Sequence, residues 1–292
     1  MTKAQRPAVL VGRDAVIDLA VPCLMGVVNV TPDSFSDGGH CLSAAAAVEH
    51  GLRLQAEGAG ILDIGGESTR PGAQPVSAEE EIERVVPVIE GLRRHTGLPL
   101  SVDTWKAPVA RAALVAGANF INDISGLNFD PAMAEVVAKS GAGLFLMHTR
   151  GCPATMHQDT RYQDLLAEVV RSLQQSIDRA VAAGIDRQRL AVDPGIGFAK
   201  DVFGNLLLLH HLDQLHRLNC PILLGTSRKR FLGTILDRND PRERLHGTLA
   251  TVALGVAQGV QMFRVHDVGP ARDAALVAWA VREQRLPDGR SA

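Results

Sequence analysis

Residues 98–122, LPLSVDTWKAPVARAALVAGANFIN, predict one strand, one helix and a second strand. The first apolar run ends at Asp103, and residues 107–116 have the apolar periodicity of an α-helix. Gly117 is a typical helix stop, and the next apolar run ends at Asn122. The unit therefore contains two strands that both finish on a polar side chain.

The same strand and helix unit recurs along the rest of the chain. The spacing of the strand ends is mostly compatible with a crossover unit of about 30 residues. Strands are predicted at residues 24–29, 60–63, 98–103, 119–122, 143–148, 190–193, 221–225 and 259–264. Helices are predicted at residues 43–57, 78–94, 107–116, 131–139, 162–183, 204–218, 242–258 and 270–284.

This organisation predicts an α/β fold with a single (β/α)8 TIM barrel over residues 1–292, since such barrels commonly take about 250 residues. The alternative is an open, doubly wound sheet. That sheet would use fewer strands and one main glycine-rich phosphate loop, which the sequence lacks. Residues 8–19 precede the first barrel strand and predict a short β-hairpin that plugs the bottom of the barrel.

Composition favours a buried parallel sheet and small-molecule partners. The chain is 46% hydrophobic but only 4% aromatic, which gives an aliphatic core suited to strands buried on both faces. Its formal net charge of -2 offers no basic surplus for nucleic acid or for an anionic membrane. Neither a secretory leader nor a run of about 18 apolar residues is present, so we expect a cytoplasmic protein with reduced cysteines.

The polar strand ends are expected to converge on one rim of the barrel. In this fold the carboxyl ends of the strands line the active site, whereas the opposite end serves stability. A single Asp at a strand end more often caps the next helix, but several polar strand ends together favour a site. They are Asn29, Asp63, Asp103, Asn122, His148, Asp193 and Arg264, with Ser227 and Lys229 just after the seventh strand.

Two carboxylates, an amide and two cations on this rim suit a nitrogen heterocycle as ligand. An aminopyrimidinone ring presents several N–H donors, and its guanidine-like edge matches a carboxylate in the way that an Arg does. A planar guanidinium also stacks on such a ring. We predict that the ring is held by Asp103, Asn122, Asp193, Lys229 and Arg264, with Phe198 as an aromatic wall.

Two loops and one histidine suggest anion binding. In the first loop, residues 29–39, the carbonyl oxygen of Asn29 suits a hard cation such as Mg2+, and the loop is either a lid or a solvated turn. In the second loop, residues 63–72, Arg70 lies among Ser, Thr and Gly, which favours an anion-binding role over plain surface charge. His266 follows the eighth strand and is a further candidate donor to an anion.

Seven motifs carry a family resemblance. They are NVTPDSFSDGG (29–39), DIGGESTRPGA (63–73), SVDT (101–104), NDISG (122–126), DPGIGF (193–198), SRK (227–229) and RVHD (264–267). Together and in this order, they make the chain similar to the bacterial dihydropteroate synthase family. Two departures are small: Ala-Lys-Asp stands at residues 199–201 where the family often has Gly-Lys-Thr, and Arg230 stands where a small residue is common.

The resemblance implies condensation of hydroxymethyl-dihydropterin diphosphate with p-aminobenzoate, which gives dihydropteroate and diphosphate in folate biosynthesis. It also implies a homodimer, formed through the outer helices near residues 247–259, and sensitivity to sulfonamides, which resemble p-aminobenzoate. The implied pterin contacts are Asp103, Asn122, Met147, Asp193, Phe198, Lys229 and Arg264. The implied p-aminobenzoate pocket contains Phe35, Thr69, Arg70, Pro71 and Ser227.

An arylamine is a weak nucleophile, so we expect diphosphate to leave first, in an SN1-like displacement. Asn29 acting through Mg2+, Arg264 and His266 are then expected to stabilise the departing diphosphate. Asp103 is expected to offset the charge that develops on the pterin, so the expected catalytic set is Asp103, Lys229, Arg264 and His266. No specific contact is predicted for Asp63 or His148, and we interpret both as structural.

Two other functions fit parts of this pattern. A corrinoid-linked methyltransferase uses a related pterin-binding barrel, but it has no reason to keep the STRP loop (68–71), the SRK triplet and the RVH segment together. A non-catalytic pterin-binding paralogue is expected to lose loop or anion-binding residues, and none is missing here. The non-catalytic alternative predicts pterin binding without release of diphosphate.

Overall fold

The computed structural model describes residues 7–30, 44–68, 74–152, 155–156 and 159–287. Within these residues, eight parallel strands form a barrel wall and a small antiparallel hairpin precedes them. The hairpin strands are β1 (Val9–Gly12) and β2 (Ala15–Asp18). The wall strands are β3 (Cys23–Asn29), β4 (Ile61–Gly65), β5 (Leu100–Asp103), β6 (Phe120–Asp123), β7 (Gly143–Met147), β8 (Leu190–Asp193), β9 (Leu223–Leu224) and β10 (Met262–Val265).

The wall is closed by pairing between its first and last strands. Strands β3 to β8 pair in chain order, and β10 pairs with both β3 and β9. The remaining gap is bridged where Val192 of β8 pairs with Ile222, and the amide of Val192 donates to Pro221 O over 2.9 Å. The TIM barrel expected from the sequence is confirmed, and the carboxyl ends of all eight strands meet at one rim.

Helices cover the outside of the wall. No helix in the described part of the chain is both long and apolar enough to span a membrane. The α-helices are α1 (Ala44–Ala56), α2 (Ala78–Arg93), α3 (Ala107–Ala116), α4 (Met133–Ser140), α5 (Leu165–Ala182), α6 (Val202–His210), α7 (Arg230–Leu236), α8 (Leu245–Ala257) and α9 (Val268–Glu283). Short 3-10 helices span Arg187–Arg189, Leu212–Leu218 and Pro241–Arg244.

Two helical stretches differ from the sequence prediction. The helix expected at residues 204–218 ends at His210, the last residue of α6. It ends there because the side chain of Gln258 binds a backbone carbonyl and a backbone amide that a longer helix would pair internally. Gln258 donates to Leu209 O over 2.6 Å and accepts from Leu212 N over 3.0 Å. The seven-residue helix α7 was not predicted, since its apolar pattern is too short to be separated from the polar residues around it.

Strand alternation determines which side chains face the barrel interior. On β4, Ile61 belongs to the interior cluster while Leu62 and Ile64 pack outward against the helices, so Asp63 faces inward. The same alternation turns Asp103 inward on β5, because Leu100 and Val102 pack outward. Other interior residues are Met25, Phe120, Phe145, Ala191, Leu223 and Met262.

The hairpin closes the bottom of the barrel, as predicted. Leu10 and Ile17 bury their side chains in the interior cluster. Glycines make room for the ring of Phe120 beneath them: a Cβ atom would lie 2.5 Å from that ring at Gly12 and 2.3 Å from it at Gly143. Apolar side chains therefore fill the end of the barrel that the hairpin covers. The inward-facing polar side chains lie nearer the carboxyl ends of the strands.

Candidate active site

Arg264 is shared by two carboxylates at the upper end of the barrel. Its Nε donates to Asp63 Oδ2 over 2.6 Å, and its Nη2 donates to Asp103 Oδ2 over 2.7 Å. The side chain of Asp63 is fully buried, whereas 15% of the Asp103 side chain is exposed. Strands β4, β5 and β10 thus place one cation between two anions, and only the second anion has solvent access.

The amide of Asn122 is oriented by Asp63. Asn122 Nδ2 donates to Asp63 Oδ2 over 3.0 Å. Because an ionised carboxylate only accepts hydrogen bonds, the NH2 group must face Asp63, and the carbonyl oxygen of Asn122 is turned away from it. No specific contact was predicted for Asp63, which we interpreted as structural; the structure shows that it holds two residues predicted to bind the ligand.

Burial raises the pKa of the Asp103 carboxyl to about 7. The Arg264 guanidinium opposes this shift, while the negative charges of Asp63 and Glu81 add to it. Asp103 therefore changes its charge near neutral pH. A partly exposed carboxylate with such a pKa suits a site in which positive charge develops on a bound ligand.

Asp193 and Lys229 are oppositely charged residues on the same rim, and each affects the pKa of the other. Asp193 Oδ1 accepts from Gly195 N over 2.7 Å, and burial raises the pKa of this carboxyl. Burial lowers the pKa of the Lys229 ammonium to about 8, which the charge of Asp193 opposes. A Cβ atom at Gly225 would lie 3.8 Å from Asp193 Oδ2 and 4.0 Å from Lys229 Nζ, so glycine leaves this space open.

The turn after β8 positions an aromatic ring beside Lys229. Lys229 Nζ lies 4.4 Å from the centroid of the Phe198 ring and donates to Ile196 O. A Cβ atom at Gly195 would lie only 1.9 Å from His148 O, so this tight turn requires glycine. Met147 pairs with Asp193 across β7 and β8 and is 4% exposed, so both predicted apolar walls lie on this side of the barrel.

A buried lysine holds the same turn from below. Lys200 Nζ contacts His148 Nδ1 at 3.0 Å and donates to Gly195 O and Phe198 O over 3.0 and 2.8 Å. Burial lowers the pKa of His148 to about 2, so its ring is neutral and Nδ1 accepts from the lysine. The contacts of His148 are those of a structural residue, in line with its interpretation from the sequence.

Within residues 199–201, the chain differs from the common family pattern at two positions, Ala199 and Asp201. Ala199 adopts φ +50, in the left-handed region where glycine is favoured. Asp201 caps α6 by accepting from Gly204 N over 2.7 Å, a role that a threonine also fills. The substitution at position 199 therefore introduces backbone strain, whereas the one at position 201 preserves the helix cap.

Residues suited to anion binding meet after β9 and β10. Ser227 Oγ accepts from His266 N over 3.1 Å and lies 2.9 Å from His266 Nδ1. Arg228 donates to both carboxylate oxygens of Asp267, over 3.0 and 2.5 Å. These contacts fix the SRK triplet against the RVHD segment, so that Ser227 and His266 lie side by side.

Asn29 lies at the end of β3, close to Asp103. A Cβ atom at Gly65 would lie 3.6 Å from Asn29 Oδ1 and 3.6 Å from Asp103 Cβ, so the two residues flank this glycine. Among the described residues, no three His, Cys, Asp or Glu side chains are grouped to hold a metal. A single amide oxygen nevertheless fits Mg2+, which commonly keeps several waters and binds through substrate phosphates.

Ten of the predicted site residues are described by the structure, and all ten lie at the carboxyl ends of the barrel strands or in the segments that follow them. Asp63 had a detectable signal, since it ends the strand predicted at residues 60–63, as Asp103 ends the strand predicted at residues 98–103. Lys200 had none, because its partners, the His148 ring and the carbonyl oxygens of Gly195 and Phe198, come together only in the folded chain. Phe35, Thr69, Arg70 and Pro71 lie outside the described residues.

Comparisons with known proteins agree with this geometry. Residues 25–266 match the family model described as Pterin binding enzyme. The chain is 49% identical to the dihydropteroate synthase of Bacillus subtilis over 245 residues, which are 84% of this chain and 83% of the relative. It is 44% identical to that of Escherichia coli K12, over 90% of this chain and 93% of the relative.

Solved structures give the same result. The dihydropteroate synthase of Yersinia pestis, in a complex with a sulfonamide drug, superposes with a TM-score of 0.90 at 44% identity, covering 94% of this chain and 99% of the other. The Xanthomonas albilineans enzyme with 4-aminobenzoic acid gives 0.87 at 47% identity, covering 95% and 99%. The chain therefore belongs to the pterin-binding enzymes and, among them, to the dihydropteroate synthase family of transferases.

Proposed function

We propose that this chain condenses hydroxymethyl-dihydropterin diphosphate with p-aminobenzoate to give dihydropteroate and diphosphate. The observation that carries the proposal is the arrangement around Arg264, which brings Asp103, Asp63 and Asn122 together inside one barrel mouth. The charged side chains of Arg264, Asp103 and Asp63, together with an oriented amide, line the inside of this mouth and suit a polar, planar ring. They also suit a reaction in which that ring becomes positively charged.

The pterin is held by groups of complementary polarity. The carboxylates of Asp103 and Asp193 accept from its N–H groups, and the carbonyl oxygen of Asn122 adds a third acceptor. Lys229 supplies a donor on the same side as Asp193. The flat faces of the ring contact Met147 and Phe198 on one side and the guanidinium of Arg264 on the other.

Cleavage of the carbon–oxygen bond to diphosphate precedes attack by the arylamine. The bonding electrons leave with the diphosphate, and the positive charge that remains is spread over the methylene carbon and the pterin. Ionised Asp103 stabilises this cation, since a carboxylate already in place needs no reorganisation. The amine nitrogen then forms the new carbon–nitrogen bond and loses a proton.

Arg264, His266 and Asn29 stabilise the diphosphate as it leaves. The first two donate to its oxygens, and the amide oxygen of Asn29 is suited to a bound Mg2+. When present, Mg2+ supplies positive charge to the leaving group. All three residues lie at strand ends on the same rim, close to the charged floor.

The p-aminobenzoate pocket is assigned to Phe35, Thr69, Arg70 and Pro71, together with Ser227. Support comes from Ser227, which lies beside His266 at the edge of the diphosphate region. A pocket completed by two loops forms fully only after diphosphate has bound, so we propose ordered binding. Tight binding of p-aminobenzoate to the protein without diphosphate would contradict that order.

We also propose a cytoplasmic homodimer that forms through α8 and α9. These helices pack on each other and expose Leu254, Val277 and Val281, which are 57%, 66% and 74% exposed. Apolar side chains exposed on adjacent helices favour contact with another protein surface. Light scattering should give twice the chain mass of 31.1 kDa, and a mass equal to that of one chain would refute the dimer.

The test of the activity is release of diphosphate in a two-substrate assay. We expect release that requires both p-aminobenzoate and Mg2+, with inhibition by sulfonamides. The matched control is Lys229→Met, which removes a pterin donor from the same fold. Pterin binding without any release would instead favour the non-catalytic paralogue, and methyl transfer from a pterin would favour the corrinoid-linked enzyme.

A further inference from the structure

A buried ion cluster, formed by Glu67, Glu81 and Lys106, lies beside the reaction site and is not used by the mechanism above. Lys106 Nζ donates to Glu67 Oε2 and to Glu81 Oε2, both over 2.6 Å. The two carboxylate side chains are only 6% and 1% exposed, and that of Lys106 is 18% exposed. An ion cluster buried this deeply costs desolvation energy, so a role beyond stability deserves a test.

The cluster joins the two ends of the second loop. Glu67 stands at its start, and its Oε1 accepts from Val76 N over 3.2 Å at the end of the loop. Lys106 Nζ donates to Val76 O over 2.7 Å, so both backbone polar groups of Val76 are held. Each residue of the trio Glu67, Val76 and Lys106 therefore contacts the other two.

The hydrogen-bonding capacity of the ammonium is fully used. Its three N–H groups match three acceptors: Glu67 Oε2, Glu81 Oε2 and Val76 O. A second contact supports the start of the loop, where Arg84 Nη1 donates to Gly66 O over 2.8 Å. The loop ends are thus fixed to α2 and to the segment between β5 and α3.

Lys106 belongs to the same short segment as Asp103, which ends β5. The eight residues between Glu67 and Val76 include Thr69, Arg70 and Pro71. Fixing both ends of a short segment removes conformations that it would otherwise sample before binding a ligand. Through Lys106, the cluster therefore links Asp103, which is expected to bind the pterin, to Glu67 and Val76 at the two ends of the second loop.

We propose that Glu67 and Lys106 are positioning residues for the p-aminobenzoate pocket, acting by holding the two ends of the second loop together. This inference rests on the proposed function, because that function places Thr69 and Pro71 in the pocket. Glu67 and Lys106 touch neither substrate. Their effect is on the binding of p-aminobenzoate and not on the binding of the pterin diphosphate.

Two substitutions separate this role from plain stability. In Glu67→Gln, the side chain keeps one acceptor oxygen where the glutamate uses two. We expect that oxygen to stay with the charged Lys106, which attracts it more strongly than a backbone amide does, so the contact to Val76 N is lost. In Glu81→Gln, the loop ends stay joined. In each variant one carboxylate still accepts a hydrogen bond from Lys106, so the net charge of the cluster is the same in both.

We expect Glu67→Gln to raise the KM for p-aminobenzoate by about tenfold or more, since a hydrogen bond to a charged group is lost. The dissociation constant of the pterin diphosphate, measured without p-aminobenzoate, should stay within about twofold. Glu81→Gln should leave the KM for p-aminobenzoate within the same range. An equal rise in that KM in both variants, or no rise in either, would overturn the proposal.

Hydrogen exchange at the amide of Val76 gives a readout that needs no activity. Exchange should be faster in Glu67→Gln than in the unsubstituted protein and unchanged in Glu81→Gln. Equal exchange in the two variants refutes the loop contact itself. Absence of diphosphate release by the unsubstituted protein refutes the proposed function instead, so the two failures are distinguishable.

Discussion

Arg264 donates to Asp103 over 2.7 Å and ties the guanidinium from β10 to the carboxylate at the end of β5. The same guanidinium also holds Asp63, so one cation serves two carboxylates. With both carboxylates ionised, one negative charge in this trio is left unbalanced, and Asp103 is its solvent-accessible end. Such an arrangement favours a positively charged transition state above Asp103.

Replacing Asp103 by Asn should lower kcat by about 10²- to 10³-fold, because the charge that stabilises the pterin cation is lost. The pH dependence should change as well. Since Asp103 has a pKa of about 7, kcat/KM should rise as the pH increases through that value and Asp103 ionises. Profiles from pH 5 to 9 should lack this rise in Asp103→Asn. The decline expected near pH 8 from Lys229 should remain.

Asp63→Asn should reduce kcat/KM by about 10²-fold, although Asp63 touches no substrate. Arg264 and Asn122 both donate to Asp63 Oδ2, and the amide offers them only a neutral acceptor oxygen. The charge-assisted hydrogen bond that orients Arg264 is therefore weakened, and the guanidinium is held less firmly in place. Ser101→Ala is a matched control. Ser101 pairs with Asp63 across the sheet, is fully buried, and its Oγ has no hydrogen-bond partner. Equal activity losses in the two variants would argue against an orienting role for Asp63.

The neutral state of buried His148 should make the protein sensitive to acid. Its pKa is about 2 in the folded state, so from pH 6.5 downwards the unfolded chain binds a proton that the native state does not. The free energy of unfolding therefore falls with decreasing pH, by up to about 1.4 kcal/mol per pH unit from this group.

Urea unfolding at pH 7 and pH 5 measures this effect. His148→Gln should lose less stability between the two pH values than the unsubstituted protein, because glutamine takes up no proton. His246→Gln removes an exposed imidazole on α8 and should behave like the unsubstituted protein. An acid response in His148→Gln that matches the unsubstituted protein would show that His148 is not its source.

Ala199→Gly should stabilise the protein by about 0.5 to 1 kcal/mol. The left-handed conformation at φ +50 costs an alanine about 1 to 2 kcal/mol, and this gain exceeds the entropy that glycine adds to the unfolded chain. Ala112→Gly in the middle of α3 is the contrasting control and should destabilise by about 1 kcal/mol. Thermal unfolding of both variants checks the difference in sign.

The positions of the barrel strands were predictable because each strand is a short apolar run bounded by loop residues. The capping of α2 by Ser77 was also predictable from a local pattern, because a serine followed by acidic residues is typical of a helix N-terminus. The end of α6 was not, since it depends on Gln258, 46 residues away from Leu212 in the sequence. Local patterns identify where an element forms, whereas its end is sometimes set by a side chain from another part of the chain.

The eight strands, their inward-facing positions and the residue types at the reactive rim all follow from local sequence patterns, because strand alternation and apolar runs are local properties. Which of those groups pair depends on how the folded barrel brings distant segments together. Asp63 and Arg264 lie 201 positions apart, and Lys106 joins Glu67 to Val76 across 39 and 30 positions. Contacts over such separations arise from closure of the barrel, which no local pattern encodes.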